Sequence, residues 1–342
     1  MITASPLPAQ PAAADWRQQW RDAERDPRRL LARLGLDRLA ERLAFDGLRD
    51  FPLRVPMSFI ERMRPGDPDD PLLRQVLPLD DEDHLIPGFV DDAVGDGNAL
   101  TANGVLQKYR GRALLIATGS CAVHCRYCFR RHFPYADETA AAGHWVEALQ
   151  RLRDDDSINE VILSGGDPLS LSNPKLAELI EALDTIPHLH TLRIHSRLPV
   201  VLPARVDAGL LSLLSQSRLH KVVVIHANHG NELRLHGQPH AETATALAAL
   251  RDHGCTLLNQ AVLLRGVNDS EDALTGLSEA LFDAGVLPYY LHQLDRVRGA
   301  AHFEVDDDTA LRLVEALRAR LPGYLVPRLV REIPGATSKT PI

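Results

Sequence analysis

The chain has 342 residues, of which 45% are hydrophobic and 25% charged, a composition typical of globular proteins. Its formal net charge of −8 lacks the basic surplus of nucleic-acid-binding domains, and no apolar run reaches the roughly 18 residues that a membrane span needs. The N-terminus has no signal-peptide pattern, and three of the four cysteines are clustered. We therefore expect a cytoplasmic protein from a reducing compartment that binds neither nucleic acid nor membranes.

The first part of the chain predicts helices. Residues 1–15 are rich in proline and alanine and are expected to be disordered. Over 16–49, apolar residues recur at three- and four-residue steps among charges, a pattern that predicts helix. A second helix is expected to open within 53–60, with Ser58 as its N-cap.

Two connections follow these helices. Residues 67–78 are interpreted as a loop because prolines punctuate them. The acid run at 80–83 is interpreted as a solvated turn rather than a metal site. The sequence thus predicts a helical N-terminal region over 16–105 without obvious chemistry of its own.

Three cysteines in eight residues, spaced C-x3-C-x2-C, mark the next stretch. An apolar run over 113–118 predicts a buried strand, and Cys121, Cys125 and Cys128 follow in the loop at its C-terminal end. Thiolates gathered this closely repel one another unless a metal holds them. A [4Fe–4S] cluster on three thiolates keeps one iron open for a ligand, and this is the interpretation that we favour.

A zinc site is the alternative for the same cysteines. Zinc in a structural site usually has four protein ligands, so His124 or His132 would have to complete it. Cys255 stands alone, far along the chain, and is expected to take no part in either site.

Beyond the cysteine loop, strand-like and helix-like runs alternate. With the first strand they make six β/α units, which predict a parallel sheet with helices outside it. Six units are too few for a closed eight-stranded barrel, so we expect an α/β fold with a partial (β/α)6 barrel. Residues 322–342 form a proline- and glycine-rich tail without helical pattern. The predicted strands are 113–118, 160–164, 192–195, 221–226, 256–264 and 287–291, and the predicted helices are 173–183, 207–215, 241–253, 270–284 and 307–320.

Polar side chains recur where these predicted strands end. In barrel-like α/β folds the active site gathers at the C-terminal ends of the strands. Two adjacent glycines, Gly165 and Gly166, would let a backbone approach a ligand closely because they have no Cβ. His226 and Gln260, taken alone, are better interpreted as hydrogen-bonded core residues. The strand-end residues are Ser164, Gly165, Gly166, Asp167, His195, Ser196, Arg197, His226, Asn228, His229, Asn259, Gln260, His292 and Asp295.

The cysteine spacing resembles that of radical S-adenosylmethionine (SAM) enzymes, and further motifs are similar to the lysine 2,3-aminomutase family. The likeness runs from about residue 50 to the end. Segments at 52–60, 70–77 and 299–303 resemble a short bacterial subgroup that makes β-lysine for modification of translation elongation factor P. The family motifs are C-x3-C-R-Y-C-F-R-R at 121–131, L-S-G-G-D-P-L at 163–169, N-Q-A-V-L-L-R-G-V-N-D at 259–269, P-Y-Y at 288–290 and S-K-T-P at 338–341.

This resemblance implies an isomerase that moves the α-amino group of L-lysine to the β carbon. The implied cofactors are a [4Fe–4S] cluster, SAM and pyridoxal 5'-phosphate (PLP), which gives the nitrogen an imine form in which it can migrate. A lysine must hold PLP between turnovers, and Lys339 matches the family position. Without the resemblance, Lys339 would be interpreted as a solvated tail lysine. A radical SAM core is implied over 106–321, with the PLP lysine in the C-terminal segment.

The resemblance also assigns the remaining site residues. The arginine at 130 matches the one that binds the substrate carboxylate, and an arginine fork suits that group. Two acids are implied for the substrate ε-ammonium, although the family has aspartate where this chain has Glu332. The implied SAM neighbours are Ser164, Gly165, Gly166 and Asp167; the SAM or PLP neighbours His226 and Gln260; the PLP neighbours Tyr109 and Arg112; and the substrate contacts Arg130, Asp295 and Glu332.

Three other functions remain open from the sequence. One is a non-catalytic zinc-binding scaffold, and another is a radical SAM enzyme acting on a protein or nucleic acid. The third is a glutamate 2,3-aminomutase, which two acids at the distal end of the substrate would disfavour by repelling a second carboxylate. The expected partner is the small-molecule substrate L-lysine, with a functional link to the ligase that lysylates elongation factor P.

Overall fold

The computed structural model describes residues 15–44, 48–49, 51–135 and 145–342. The predicted disorder of 1–15 falls almost wholly outside these ranges. None of the helices within them combines the length and apolarity that crossing a bilayer requires.

A ten-stranded sheet organises this part of the chain, with a separate two-stranded hairpin beside it. The strands are β1 (Leu100–Ala102), β2 (Val105–Leu106), β3 (Arg112–Thr118), β4 (Glu160–Gly165), β5 (Thr191–Ser196), β6 (His220–Ile225), β7 (Arg234–Leu235), β8 (Gln238–Pro239), β9 (Cys255–Val262), β10 (Leu287–His292), β11 (Arg328–Arg331) and β12 (Thr340–Pro341). The parallel body has the order β3-β4-β5-β6-β9-β10-β11, with β2 and β1 added antiparallel at one edge and β12 at the other. The two edges do not pair with each other, so the sheet is an open, partial barrel.

Helices cover the outside of the sheet. They are α1 (Trp16–Arg21), α2 (Pro27–Leu34), α3 (Met57–Ile60), α4 (Pro71–Arg74), α5 (Val146–Asp154), α6 (Asn173–Asp184), α7 (Leu198–Val201), α8 (Ala208–Gln216), α9 (Ala241–Asp252), α10 (Glu271–Asp283) and α11 (Asp307–Arg320). The strands read as continuous apolar runs because helices cover one face and side chains fill the other, and Val161 and Leu163 on β4 are fully buried. The strands and helices predicted for the β/α units all lie within about two residues of the observed ones, whereas α5 and the short α7 were not predicted.

The six predicted β/α units are confirmed, and the tail adds to them. The segment 322–342 supplies β11, a further parallel strand beside β10, and β12, which turns back along β11. Residue 340 pairs with residue 331 in this turn, which brings the end of the chain back to the C-terminal ends of the parallel strands.

The N-terminal region differs from the predicted long helix. It forms α1, α2 and a 3-10 turn over 37–42, because Pro27 starts α2 behind an Asp26 cap and Gly35 ends it in a left-handed conformation with φ +68°. The predicted Ser58 cap is wrong. Helix α3 begins at Met57, and the Ser58 hydroxyl donates instead to the Val201 carbonyl oxygen over 2.7 Å.

The connections that follow are also more structured than predicted. The loop 67–78 contains α4, whose N-cap Asp70 accepts from two backbone N–H groups. In the acid run, Glu82 is buried and pairs with Arg126 over 2.5 Å and with Arg131 over 2.8 Å. The solvated-turn interpretation is therefore wrong for Glu82, because two guanidinium groups from the cysteine loop reach back to it.

Candidate active site

A cavity of about 320 Å³ lies at the C-terminal ends of the parallel strands. Every site residue predicted from the sequence lines it, including Lys339, which the β11–β12 turn returns to this end of the sheet. A volume of this order fits a small-molecule site. The predicted residues in the lining are Tyr109, Arg112, Cys121, Cys125, Cys128, Arg130, Ser164, Gly165, Gly166, Asp167, His226, Gln260, Asp295, Glu332 and Lys339.

The three clustered thiols face this cavity from the loop after β3. Burial raises the pKa of Cys121 well above its ordinary value, and burial together with the Cys125 thiol raises the pKa of Cys128 to about 11. Such groups favour a neutral form unless a cation or a metal stabilises the thiolate. Within the described ranges, no three His, Cys, Asp or Glu side chains lie close enough to hold a single metal ion. A four-iron cluster is larger than one ion, so thiolates that share it stand further apart.

The two histidines considered for a zinc site are engaged elsewhere. His124 stacks on Phe51 and its Nδ1 lies 2.7 Å from the Pro52 carbonyl oxygen. His132 Nε2 lies 3.3 Å from the carbonyl oxygen of Arg298. Neither lines the cavity. Cys255 is buried at the start of β9, at the opposite end of the sheet from the cavity.

The Gly165–Gly166 turn after β4 packs against the backbone that leads into the cysteine loop. A Cβ on Gly165 would lie 2.6 Å from the Thr118 carbonyl oxygen, and one on Gly166 would lie 2.5 Å from that of Ser120. Gly165 also has φ +113°, which side chains rarely permit. These glycines are therefore required by the approach of two protein segments, in addition to any ligand.

The Asp167 carboxylate fixes the segment after the Gly165–Gly166 turn through hydrogen bonds. Its carboxylate accepts from Ser196 Oγ over 2.7 Å and from the backbone N–H of Arg197 over 2.8 Å, and two further N–H groups complete its shell. Both oxygens are thus occupied by the protein, and burial raises the pKa of this acid.

Arg130 marks one polar end of the cavity. Its Nε donates to Asp96 Oδ2 over 2.6 Å and its Nη1 donates to Ser164 Oγ over 3.1 Å. Its Nη2 makes no hydrogen bond to the described part of the chain, which leaves one donor for an anionic ligand. The Nζ atom of Lys108 lies 2.7 Å from the other oxygen of Asp96, Oδ1, and donates to the Val94 carbonyl oxygen.

Lys339, Glu332 and Asp295 form a second polar group, and Lys108 joins it to Asp96 because its Nζ also lies 3.6 Å from Glu332 Oε1. Lys339 Nζ donates to Glu332 Oε2 over 2.6 Å, and Tyr109 donates to the second oxygen over 2.7 Å. The Arg112 guanidinium lies 5.2 Å from the centre of the Tyr109 ring. Burial raises the pKa of Asp295 to about 7, although the Lys339 cation opposes the shift. Within the described ranges no side chain donates to the Asp295 carboxylate.

Neutral histidines also line the cavity. His226 bonds through Nε2 to the Gln260 side chain, and burial lowers its pKa to about 4. Burial also lowers the pKa of His195 and His292, whose Nε2 atoms have no hydrogen-bond partner in the part of the chain described. Imidazoles kept neutral in this way can accept from, or donate to, a bound ligand.

Sequence reasoning missed several residues of this site. Asp96 lies in the region predicted to have no chemistry, and nothing in its neighbourhood signals that it meets Arg130. His195, Arg197 and His292 were strand-end residues without an assigned role, and all three line the cavity. Three others from the same set, Asn228, His229 and Asn259, are absent from its lining.

Sequence comparisons place this site among known proteins. Residues 115–275 match the Radical SAM superfamily. The chain is 49% identical over 334 residues to the L-lysine 2,3-aminomutase of Escherichia coli (strain K12), covering 97% of this chain and 95% of that one. It is 44% identical over 338 residues to the L-lysine 2,3-aminomutase of Haemophilus influenzae, covering 98% of each. The L-lysine 2,3-aminomutase of Clostridium subterminale is 32% identical over 330 residues, which cover 96% of this chain and 77% of that one.

Proposed function

The chain belongs to the L-lysine 2,3-aminomutase family of the radical SAM superfamily, and we propose that it converts L-lysine to β-lysine by moving the α-amino group to the β carbon. One observation carries the proposal. The lining of a single cavity includes the three clustered thiols, Lys339, Arg130 and the acids Asp295 and Glu332, which supply the groups that this isomerisation needs.

The three thiols fit a [4Fe–4S] cluster. They are set in one loop, and three ligands keep one iron open for SAM. Bound together, the reduced cluster and SAM supply the radical that removes hydrogen from the substrate β carbon. Ser164, Gly165 and Gly166 would contact SAM, and His226 and Gln260 would contact SAM or PLP. Asp167 would act by holding the Gly-Gly turn in place, since its own oxygens are occupied.

Lys339 fits the role of the PLP lysine. The chain has four lysines, of which Lys108 and Lys339 line the cavity. Lys108 contacts Asp96, Glu332 and a backbone carbonyl, whereas the ion pair of Lys339 is with Glu332. PLP supplies an electron sink that makes migration of nitrogen between carbons feasible. Tyr109 and Arg112, which lie beside Glu332 at the same end, would position the cofactor.

The two polar groups would bind the two ends of lysine. The free Nη2 of Arg130 would bind the substrate carboxylate, and Asp295 and Glu332 would bind the ε-ammonium. Two acids would attract the ε-ammonium of lysine and repel the second carboxylate of glutamate. This difference favours lysine over glutamate as the substrate.

We further propose that the product serves to modify elongation factor P. The support is the sequence likeness of three N-terminal and C-terminal segments to the bacterial subgroup described above, and the implied partner in function is the lysylation ligase. A cytoplasmic location would suit a cluster that oxygen destroys.

Anaerobic reconstitution tests the proposal. Protein loaded with iron and sulfide should be brown with about four irons per chain, and should form β-lysine from L-lysine when SAM, PLP and a reductant are added. Alanine at Cys121, Cys125 or Cys128 should remove the iron, whereas Cys255→Ala should keep it. Stoichiometric zinc in active protein would contradict the cluster, and faster turnover of glutamate than of lysine would contradict the substrate.

A further inference from the structure

We propose that Arg197 raises the reduction potential of the cluster through a charge-assisted hydrogen bond to the Cys125 thiolate, with Glu232 as its counter-ion. The inference rests on the cluster proposed above. It gives a function in electron uptake to a buried arginine that neither the sequence motifs nor the binding of substrate requires.

The guanidinium of Arg197 is fixed against the cysteine loop. It follows β5 and is 7% exposed. Its Nη1 lies 2.7 Å from Cys125 Sγ and 2.9 Å from the hydroxyl of Tyr127, which stands between two of the cysteines. Its Nη2 donates to Gln75 over 2.6 Å and to Glu232 over 2.9 Å. Five hydrogen-bond donors in a rigid fork leave this group little freedom to turn away from the sulfur.

The counter-ion is fixed as firmly. Glu232 is fully buried, and its second oxygen accepts from the Gln75 amide over 3.0 Å and from the backbone N–H of Asn228 over 2.8 Å. The Phe59 ring has the guanidinium groups of Arg197 and Arg62 each 5.3 Å from its centre. Gln75 and Phe59 belong to the N-terminal region, which therefore supports the cation that faces the cluster.

The Arg197 guanidinium makes more contacts than its burial alone requires. A buried arginine needs a carboxylate to offset its desolvation, and Glu232 on Nη2 meets that need. Nη1 meets the Cys125 sulfur as well as the Tyr127 hydroxyl, and Nε is buried without a hydrogen bond to any described residue. One side of the guanidinium is thus available to the thiolate and to whatever that thiolate binds.

The effect on reduction follows from charge. Reduction from [4Fe–4S]²⁺ to [4Fe–4S]⁺ adds one electron from an external one-electron donor and needs no proton. The added negative charge spreads onto the thiolates, so a fixed cation beside one of them stabilises the reduced form more than the oxidised form. Hydrogen bonds to cluster sulfurs raise the potential in the same direction. Glu232 partly cancels the cation and therefore lowers the potential.

Redox titration of the reconstituted protein tests this assignment. The EPR signal of the reduced cluster is followed against potential, without SAM or PLP, with dithionite as reductant. In Arg197→Gln we expect the equilibrium constant for reduction to fall about tenfold, which is about 59 mV for one electron. Arg197→Lys should recover part of this loss because it retains the charge. Glu232→Gln should move the potential the opposite way. Arg193→Gln, at a residue of the preceding strand β5 that pairs with Glu160, is the control and should not move it.

Iron content separates the possible failures. A parent protein without a four-iron cluster would overturn the proposed function and this inference together. A full cluster with the same potential in the parent, Arg197→Gln and Glu232→Gln would overturn the inference alone. An unchanged potential together with weaker SAM binding in Arg197→Gln would also overturn the inference, and would indicate that Arg197 binds SAM. If Arg197→Gln fails to fold, the sign of the Glu232→Gln shift decides, and a shift to lower potential contradicts the assignment.

Discussion

At the scale of single residues, the Lys339–Glu332 pair determines how the lysine is presented to the cavity. Burial alone would raise the pKa of Glu332, but the Lys339 and Lys108 cations and the Tyr109 hydroxyl lower it below its ordinary value. The carboxylate is therefore charged at neutral pH and holds the Lys339 ammonium at one place. Glutamate is one methylene longer than the aspartate that the family resemblance implies at this position, and its carboxylate makes the 2.6 Å contact to Lys339.

Borohydride trapping should locate PLP on Lys339. Reduction of the PLP-loaded protein fixes the cofactor on the lysine that holds it, and peptide mass analysis then identifies that lysine. We expect the pyridoxyl group on Lys339 in the parent and in Lys108→Ala, and no adduct in Lys339→Ala. An adduct that persists in Lys339→Ala, or one found on Lys108, would contradict the assignment.

Asp295 should make stability depend on pH in the PLP-free protein. Its pKa of about 7 lies above the unfolded value of about 3.9, so the folded state binds the proton more tightly. The free energy of unfolding from this group is fully present below about pH 4 and is lost as the pH rises to about 7. The Asp295→Asn variant stays neutral. Its free energy of unfolding should therefore rise relative to that of the parent over this range, by on the order of 2–4 kcal/mol at about pH 8. Urea denaturation at several pH values measures the difference, and a constant difference would show that Asp295 is not perturbed.

The same substitution should impair turnover. A partly buried ammonium without its acid loses on the order of 2–5 kcal/mol of interaction. Lysine turnover by Asp295→Asn should fall by about one to three decades, while iron and PLP content stay at the parent level. Turnover equal to the parent would show that Asp295 does not contact the substrate.

At the scale of secondary-structure elements, the 3-10 turn over 80–83 fastens the cysteine loop to the N-terminal region. Glu82 supplies the buried carboxylate for Arg126 and Arg131, which flank the last cysteine. The neighbouring Asp81 pairs with Arg42, and both of those side chains are at least 41% exposed. One short turn thus holds a buried and an exposed ion pair, which offers a matched comparison.

Glu82→Gln should lower the free energy of unfolding far more than Asp81→Asn does. Removing one partner of a buried ion pair typically costs about 3–5 kcal/mol, whereas an exposed pair contributes about 0–1 kcal/mol. Urea denaturation should show this difference in the free energy of unfolding. Glu82→Gln should also release iron faster from the reconstituted protein, because the loop that holds the cluster is less constrained. Equal stability of the two variants would refute the buried pair.

At the scale of the whole molecule, the cavity joins distant parts of the chain. The thiols come from the loop after β3, the acids from the segments after β10 and β11, and Asp96 from the region before the sheet. A cluster that binds only the folded arrangement must stabilise it by mass action.

Loading with iron should therefore raise the thermal midpoint. Anaerobically reconstituted protein should unfold several degrees above the iron-free protein, since about 1 kcal/mol shifts the midpoint of a domain above about 150 residues by roughly 2–4 °C. Iron should raise the thermal midpoint of Cys255→Ala as much as that of the parent, and it should leave the midpoint of Cys125→Ala unchanged. A higher thermal midpoint of Cys125→Ala on loading with iron would mean that the stabilising iron is bound elsewhere.

The sequence by itself determined six parallel strands of the sheet and most of the candidate site. Alternating apolar runs and helical periodicity predicted six parallel strands, because burial on both faces makes such strands continuous in sequence. The common end of these strands then grouped Cys121, Gly165, Gln260 and Asp295 before any contact was known. Local chemistry and period were sufficient for these residues.

Only the tertiary structure decided the remainder. Asp96 and Glu82 lie in irregular segments, and no local signal tells which arginine either of them will meet. The tail showed no strand pattern because β11 has four residues and β12 two, and their pairing depends on β10 being in place. The Arg197 fork reaches Cys125 and Glu232 across 72 and 35 positions in the chain. Such long-range pairings depend on how the elements pack, so only the folded chain specifies them.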